Sequence, residues 1–409
     1  MSSIGISRCA FIVSLAVALT AAGFTACGKK AEKNEQKKTE KASEKQADNA
    51  PAAEIDSAEE LRLGKAAFEQ KDYGNAVKHL ELAADQGESE AKKLLKTARL
   101  FLKAEKGDAA SLYKVGLLYC RGDGVEQDEA EAVRWYLKSA ELGYAEAQFD
   151  LGMRYNMGWG IQKDDVESAK WYLKAAEQGD VASQSVMGNF YEKGIGVEKD
   201  LSEAVKWHRK AAKKGDTGSQ TALGRCLENG VGVEKDPVEA VKWYRKAADQ
   251  GYAEAQCRLG VCYYEGIGVG EDEAEAVKWL RTPADLGVAE AQYYLGKCYL
   301  YGFGVEKDLS EAVNWFRKAA ERGNAKAMYE LGKCYEEGIG VDPDEKEAAK
   351  WYREGVYLED ADSMFELGKC YEEGFGVKQN EKEAVKWYRK AAELGSVSAS
   401  DALLRFSED

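Results

Sequence analysis

Nine cysteines and two histidines are the side chains of this 409-residue sequence best suited to covalent or metal chemistry. Cys226, Cys262, Cys298, Cys334 and Cys370 recur every 36 residues, with Cys120 and Cys257 off that register. Equivalent positions on packed neighbouring helices lie about 8–10 Å apart. A disulfide needs Cα atoms within about 7 Å. The recurring cysteines therefore read as buried thiols filling small gaps. His79 and His208 fall at packing positions, and two histidines are too few for a multi-histidine metal centre or a set of general bases. Eight Gly-x-Gly loops resemble phosphate cradles only superficially, because a dinucleotide site needs a preceding strand and a third glycine at the helix mouth. Acidic pairs such as Asp164/Glu167 have the residue types and spacing of a helix N-cap rather than of an acid/base dyad. No Ser-x-x-Lys site with a supporting base stands out. The sequence predicts no catalytic residue, no cofactor and no metal.

The elements that carry these residues repeat. Trp135, Trp171, Trp207, Trp243, Trp279, Trp315, Trp351 and Trp387 are each 36 residues apart, and four glycine columns keep the same period. Those columns hold 32 of the 41 glycines, so a glycine-rich composition is compatible with helices broken at fixed places. Each unit reads as two helices. In 144–179 the first runs from Ala145 to Tyr155, with Leu151 and Tyr155 on one face and Gly152 allowing a close approach. Gly158-Trp159-Gly160 breaks it. The second starts at an Asp164/Glu167 capping box and packs through Ala169, Trp171, Tyr172, Ala175 and Ala176. The box recurs down to Asn380/Glu383, and Pro237 takes a first helical position.

The strings Ala-x-Ala-Gln-x-x-Leu-Gly-x-x-Tyr, Gly-x-Gly-Val and Asp-x-x-Glu-Ala-Val-x-Trp-Tyr-x-Lys-Ala-Ala resemble the Sel1-like repeat family, a subgroup of the tetratricopeptide class. The resemblance implies an all-α fold, a right-handed α-solenoid of antiparallel helix pairs. It covers 108–395 as eight repeats. Residues 54–107 resemble a divergent tetratricopeptide hairpin followed by a spacer helix, and 396–409 a C-terminal capping helix. Cysteine-rich members clamp each repeat with disulfides. Here those places hold alanines such as Ala175 and Ala176, so neither the clamp nor the weak β-lactamase activity of that subgroup is carried over.

The N-terminus reads as an address. Arg8 precedes an apolar run from Cys9 to Phe24, shorter than the ~20 residues a spanning helix needs. Phe24-Thr25-Ala26-Cys27 resembles a bacterial lipoprotein signal, with Phe24 departing from the usual aliphatic residue. That resemblance implies a signal peptide over 1–26, lipidation at Cys27 and a membrane anchor. Gly28 in place of a retention Asp implies the outer membrane, facing the periplasm or the cell surface. Residues 27–53 are a charged tether that cannot bury enough apolar surface to fold.

Beyond residue 50 the chain has 50 basic and 67 acidic groups, which excludes a nucleic-acid partner bound through phosphates. A solenoid's function lies where the repeats differ. By the tetratricopeptide pattern the first helices line a groove, and its varying columns gather Tyr264, Tyr293, Lys297, Leu300, Tyr301, Tyr329, Lys333, Phe365 and Lys369. These form an aromatic cluster followed by aromatic–lysine pairs, the residue types that anchor interfaces. An extended protein or peptide partner would lie along them, its acidic groups meeting the lysines. The competing expectation is that the lysines pair with Glu336 and Glu372 on their own helices. The sequence thus predicts a non-enzymatic, envelope-tethered scaffold. The alternatives are a cell-wall-binding module and, disfavoured, a β-lactamase-like or cell-wall hydrolase.

Overall fold

The computed structural model describes residues 56–406, so the signal segment 1–26, Cys27 and the tether to 53 lie outside the described residues. Twenty α-helices occur among the described residues. The first three are α1 (Ser57–Glu69), α2 (Tyr73–Asp85) and α3 (Ser89–Glu105). Then come the pairs α4 (Ala109–Arg121) and α5 (Glu129–Glu141), α6 (Ala145–Met157) and α7 (Asp165–Glu177), α8 (Val181–Lys193) and α9 (Leu201–Lys213), and α10 (Thr217–Asn229) and α11 (Pro237–Ala248). They continue as α12 (Ala253–Glu265) and α13 (Glu273–Asp285), α14 (Ala289–Tyr301) and α15 (Leu309–Glu321), α16 (Ala325–Glu337) and α17 (Glu345–Tyr357), and α18 (Ala361–Glu373) and α19 (Glu381–Glu393), closed by α20 (Val397–Arg405). The described residues divide into two compact units, one running up to Ala147 and including Trp159–Ile161, the other made of Gln148–Gly158 and the described chain from Gln162 onward. Each is an all-α solenoid of antiparallel helix pairs, as the repeat predicts.

The capping acids start the second helices, but only half of the expected box forms. The Asp164 carboxylate accepts from the backbone N–H groups of Val166 and Glu167, and Asp128, Asp200 and Asp344 repeat that pattern. The N–H of Asp164 does not turn to the Glu167 carboxylate. It donates to the carbonyl of Tyr155, and every later box donates to the first helix in the same way, as Asp344 does to Tyr335. The cap thus ties the second helix to the end of the first. The released glutamates bind their own helices: Glu167 and Glu203 accept from Lys170 and Lys206 at 2.6 Å, and Glu239 from the Trp243 indole at 3.0 Å.

The helical glycines let the second helix approach closely, a Cβ on Gly116 or Gly296 lying 3.2 or 3.3 Å from the Ala132 or Ala312 carbonyl, and in most repeats they also seat a ring. A Cβ on Gly152 would meet Tyr172, and one on Gly224, Gly332 or Gly368 would meet Tyr244, Tyr352 or Tyr388. The second glycine of each Gly-x-Gly loop serves the next level of packing. Gly232 has φ +70, and a Cβ there would collide with the carbonyl of Leu201, at the start of the second helix one repeat earlier. Gly160, Gly196, Gly268, Gly304, Gly340 and Gly376 meet the equivalent carbonyls. Repeats are therefore held in register by backbone laid on backbone. The motif glutamines add a polar tie: Gln184, Gln220 and Gln292 donate to the carbonyls of Ala176, Ala212 and Ala284 at the end of the preceding second helix.

One column needs glycine for conformation alone. Gly143, Gly215, Gly251, Gly323 and Gly395 have φ between +83 and +97, and a Cβ would meet nothing within 4 Å. Glu359 takes that place in its repeat with φ 60. A left-handed residue other than glycine costs roughly 1–2 kcal/mol, part of which glycine returns through its freer unfolded chain. Glu359→Gly is therefore expected to raise unfolding stability by about 1 kcal/mol, measured by denaturant midpoint at unchanged slope.

The histidines divide. His208 is 1% exposed and lies over Gly188, as the tyrosines do in other repeats. His79 does not pack inside; it is half-buried, and its Nδ1 lies 2.6 Å from Glu60. Burial holds His208 below the ordinary imidazole value of 6.5, against the opposing pull of Glu192. The unfolded chain therefore takes up a proton near pH 6.5 that the folded chain refuses, and stability falls as pH drops below that value. In other repeats the equivalent glutamate accepts a tyrosine hydroxyl: Tyr244 gives 2.6 Å to Glu228, and Tyr352 gives 2.5 Å to Glu336. His208→Tyr, facing Glu192, is expected to gain about 1 kcal/mol. Wild type minus variant stability should also change with pH below 6.5 with the sign of a buried neutral histidine.

Candidate docking groove

The nine groove residues all lie in the second unit and come from four successive first helices, α12, α14, α16 and α18. Tyr301 is 52% exposed. Tyr264, Lys297, Leu300, Tyr329, Lys333, Phe365 and Lys369 are half-buried. Tyr293 is buried at 7% exposure, so it supports the surface from beneath rather than meeting an occupant.

The rings are continuous at one end. Tyr301 lies 5.4 Å from Phe303, Phe303 6.0 Å from Tyr264, Tyr264 5.2 Å from Tyr294, and Tyr294 5.2 Å from Tyr293. Such spacings are those of interacting aromatic pairs. Lys297 stands over Tyr264 at 5.4 Å and Tyr293 at 5.7 Å. Lys333 stands over Tyr329 at 5.8 Å and Lys369 over Phe365 at 5.9 Å, within the range of a cation–π contact. One helical turn carries each pair, because residues four apart share a face.

The lysines do find acidic neighbours, but not the expected ones. Lys369 bonds Glu366 at 2.7 Å, and Lys333 approaches Glu337 at 3.8 Å. Glu336 and Glu372 are occupied differently, accepting from the buried Tyr352 and Tyr388 hydroxyls at 2.5 Å. Burial pushes the Glu330 and Glu366 carboxyls above the ordinary glutamate value, while the flanking lysines pull them back: Lys297 and Lys333 for Glu330, Lys369 and Lys333 for Glu366. The result is a row of alternating charge, Lys297, Glu330, Lys333, Glu366, Lys369.

Glu330, Glu366, Tyr294 and Phe303 were not anticipated. Three of them share one column that reads Lys114, Asp150, Val186, Ala222, Arg258, Tyr294, Glu330, Glu366. Its variability was the available signal, since packing columns repeat. The recurring cysteines behave as predicted: Cys226, Cys262, Cys298, Cys334 and Cys370 are free and buried, as is Cys257 off their register, and burial pushes the Cys262, Cys298, Cys334 and Cys370 thiols up to about 12. A thiol raised by burial favours its protonated form, which is not the nucleophilic or metal-binding one. Among the described residues there is no group of three or more His, Cys, Asp or Glu side chains that could hold a metal ion, and no helix is long and apolar enough to cross a membrane.

The Sel1 repeat pattern matches residues 53–88, 109–144, 145–180, 181–216, 218–252, 253–288, 289–324, 325–359 and 361–396. The first match falls on the α1–α2 hairpin, so the divergent hairpin carries the same signature as the eight regular repeats. No curated protein matches the chain. Two solved structures are similar over most of their length. A protective antigen of uropathogenic Escherichia coli with an SLR fold is 33% identical, covering 79% of this chain and 80% of its own, at a TM-score of 0.59. A Sel1 repeat protein of Oxalobacter formigenes is 33% identical, covering 76% of this chain and 90% of its own, at 0.58. With nine repeats matched and these relatives alongside, the chain belongs to the Sel1 repeat family, whose solenoids act as protein–protein interaction modules.

Proposed function

We propose that the protein is an exported, membrane-tethered adaptor that takes an extended protein or peptide segment along Tyr264–Lys369. The repeated aromatic–lysine pair on three successive first helices carries this reading, with the exposed Tyr301 at its aromatic end. Spacing by one repeat suits an extended chain, whose side chains meet equivalent positions in turn. The alternating glutamates disfavour a uniformly acidic partner and favour a segment of mixed charge. The lipid anchor at Cys27 and the outer-membrane destination rest on the N-terminal sequence alone.

A photoreactive residue at position 301 should crosslink one discrete protein, identified by mass spectrometry. The Lys297/Lys333/Lys369→Ala variant should lower its recovery at least about tenfold, as loss of interface anchors does. Unchanged recovery with an intact helical circular dichroism spectrum would sink the groove. Retention on purified sacculi, lost in Tyr301→Ala, would favour the cell-wall alternative instead.

A further inference from the structure

The helix that fits no pair carries a charge of the wrong sign for this protein. α3 and the terminal α20 stand outside the helix pairs. Residues 89–114, spanning α3 and the start of α4, hold seven basic and three acidic groups, whereas 115–409 hold 39 basic and 55 acidic ones. The basic groups are not scattered. Lys92, Lys96, Arg99 and Lys103 follow one face of α3 and, with Leu95, Leu100, Ser111 and Lys114, line a cavity of about 310 Å³ between α3 and α4. Lys92 and Lys103 are eleven residues apart, about 16 Å along a helix. All five cations are exposed. Arg99 is already committed to Glu81 at 2.7 Å. Lys92, Lys96, Lys103 and Lys114 make no ion pair within 4 Å among the described residues. Asp108 feels Lys103 and Lys114, although it is held below its ordinary value mainly by its hydrogen bonds to Ser111.

We infer that the α3–α4 seam docks the protein onto an anionic phospholipid surface, with lipid phosphates seated among Lys92, Lys96, Lys103 and Lys114. Clusters of four to eight basic residues on an amphipathic helix are suited to this. The chain outside the structure points the same way. The 55 residues on its N-terminal side include the apolar run Cys9–Phe24 and lead into α1, in the same compact unit as the seam. The seam has no exposed large apolar side chain, so contact is at headgroup level and not by insertion. An acidic peptide is the competing occupant. It is disfavoured because the apolar residues beside the cations, Leu95 and Leu100, are buried or half-buried and offer no exposed anchor.

The inference is independent of Cys27 and of the groove. The full chain would be bound to vesicles of phosphatidylcholine alone or mixed with phosphatidylglycerol, so that any anchor acts equally in both. Acetylation of Lys92, Lys96, Lys103 and Lys114 is then followed by mass spectrometry. Anionic vesicles should slow it about tenfold relative to neutral ones, and added salt should abolish the difference. The Lys92/Lys96/Lys103/Lys114→Gln variant should lose the preference for anionic vesicles by on the order of a hundredfold, while crosslinking from position 301 is unchanged. Equal acetylation on both vesicles overturns the proposal. So does protection by soluble polyglutamate without protection by anionic vesicles, which would make the seam a peptide site.

Discussion

Gly232→Ala should cost about 3 kcal/mol of unfolding stability, and Gly230→Ala, two residues earlier, about 1. Both glycines are left-handed, at φ +70 and +73. Their surroundings differ. A Cβ on Gly230 would press on Lys235 Cβ at 3.2 Å, a contact a loop side chain can relax. A Cβ on Gly232 would enter the backbone carbonyl of Leu201, which cannot give way without moving the start of α9. The first variant therefore carries a conformational cost and the second adds overpacking of roughly 1–3 kcal/mol. In a solenoid each repeat touches only its neighbours. The damage should accordingly be local, with amides of α8 to α11 exchanging faster and those of α16 to α19 unchanged. Equal losses for the two alanines, by denaturant melt, would show that the loop's conformation and not its contact sets the register.

The repeat made the scaffold readable. Tryptophan, glycine and capping-acid columns mark helix starts and stops directly, because each residue type is required by local geometry: a carboxylate for orphan N–H groups, a glycine for positive φ. What those columns touch was less legible. Gly152 reads equally well as a site for a helix or for a ring, since both need a missing Cβ. Glu167 reads as the second half of a capping box, yet the Asp164 N–H is taken by the Tyr155 carbonyl, a contact between two helices that local spacing does not encode. The groove was partly legible for the same reason. Exposed Tyr301 and the aromatic–lysine pairs follow from helix periodicity, whereas Tyr293 goes under the surface because of its neighbours Tyr294 and Phe316, on and beside α14.

The largest single loss should come from Tyr352, which is fully buried over Gly332. Tyr352→Ala removes an aromatic core side chain and should cost about 3–5 kcal/mol. Tyr352→Phe keeps the ring and removes only the hydroxyl, leaving the half-buried Glu336 carboxylate without the donor it holds at 2.5 Å. That should cost about 1–3 kcal/mol. The other repeats show how the pair can be replaced as a unit. Where the second helix offers Tyr244, Tyr352 or Tyr388, the facing residue is Glu228, Glu336 or Glu372. Where it offers Leu280 or Phe316, which have no hydroxyl, that place holds Tyr264 or Leu300. Tyr352→Phe with Glu336→Leu should therefore recover most of the loss, a coupling of about 1–2 kcal/mol in a double-mutant cycle. The cycle bears on the groove as well as on stability. Tyr264 and Leu300 face Leu280 and Phe316, which offer no hydroxyl, whereas Tyr136 and Tyr172 face Cys120 and Asn156, so a hydroxyl does not by itself require a glutamate. Recovery in the double variant would show that an apolar groove residue is compatible with the core once the hydroxyl behind it is gone. Additive losses would show that the two positions are not coupled.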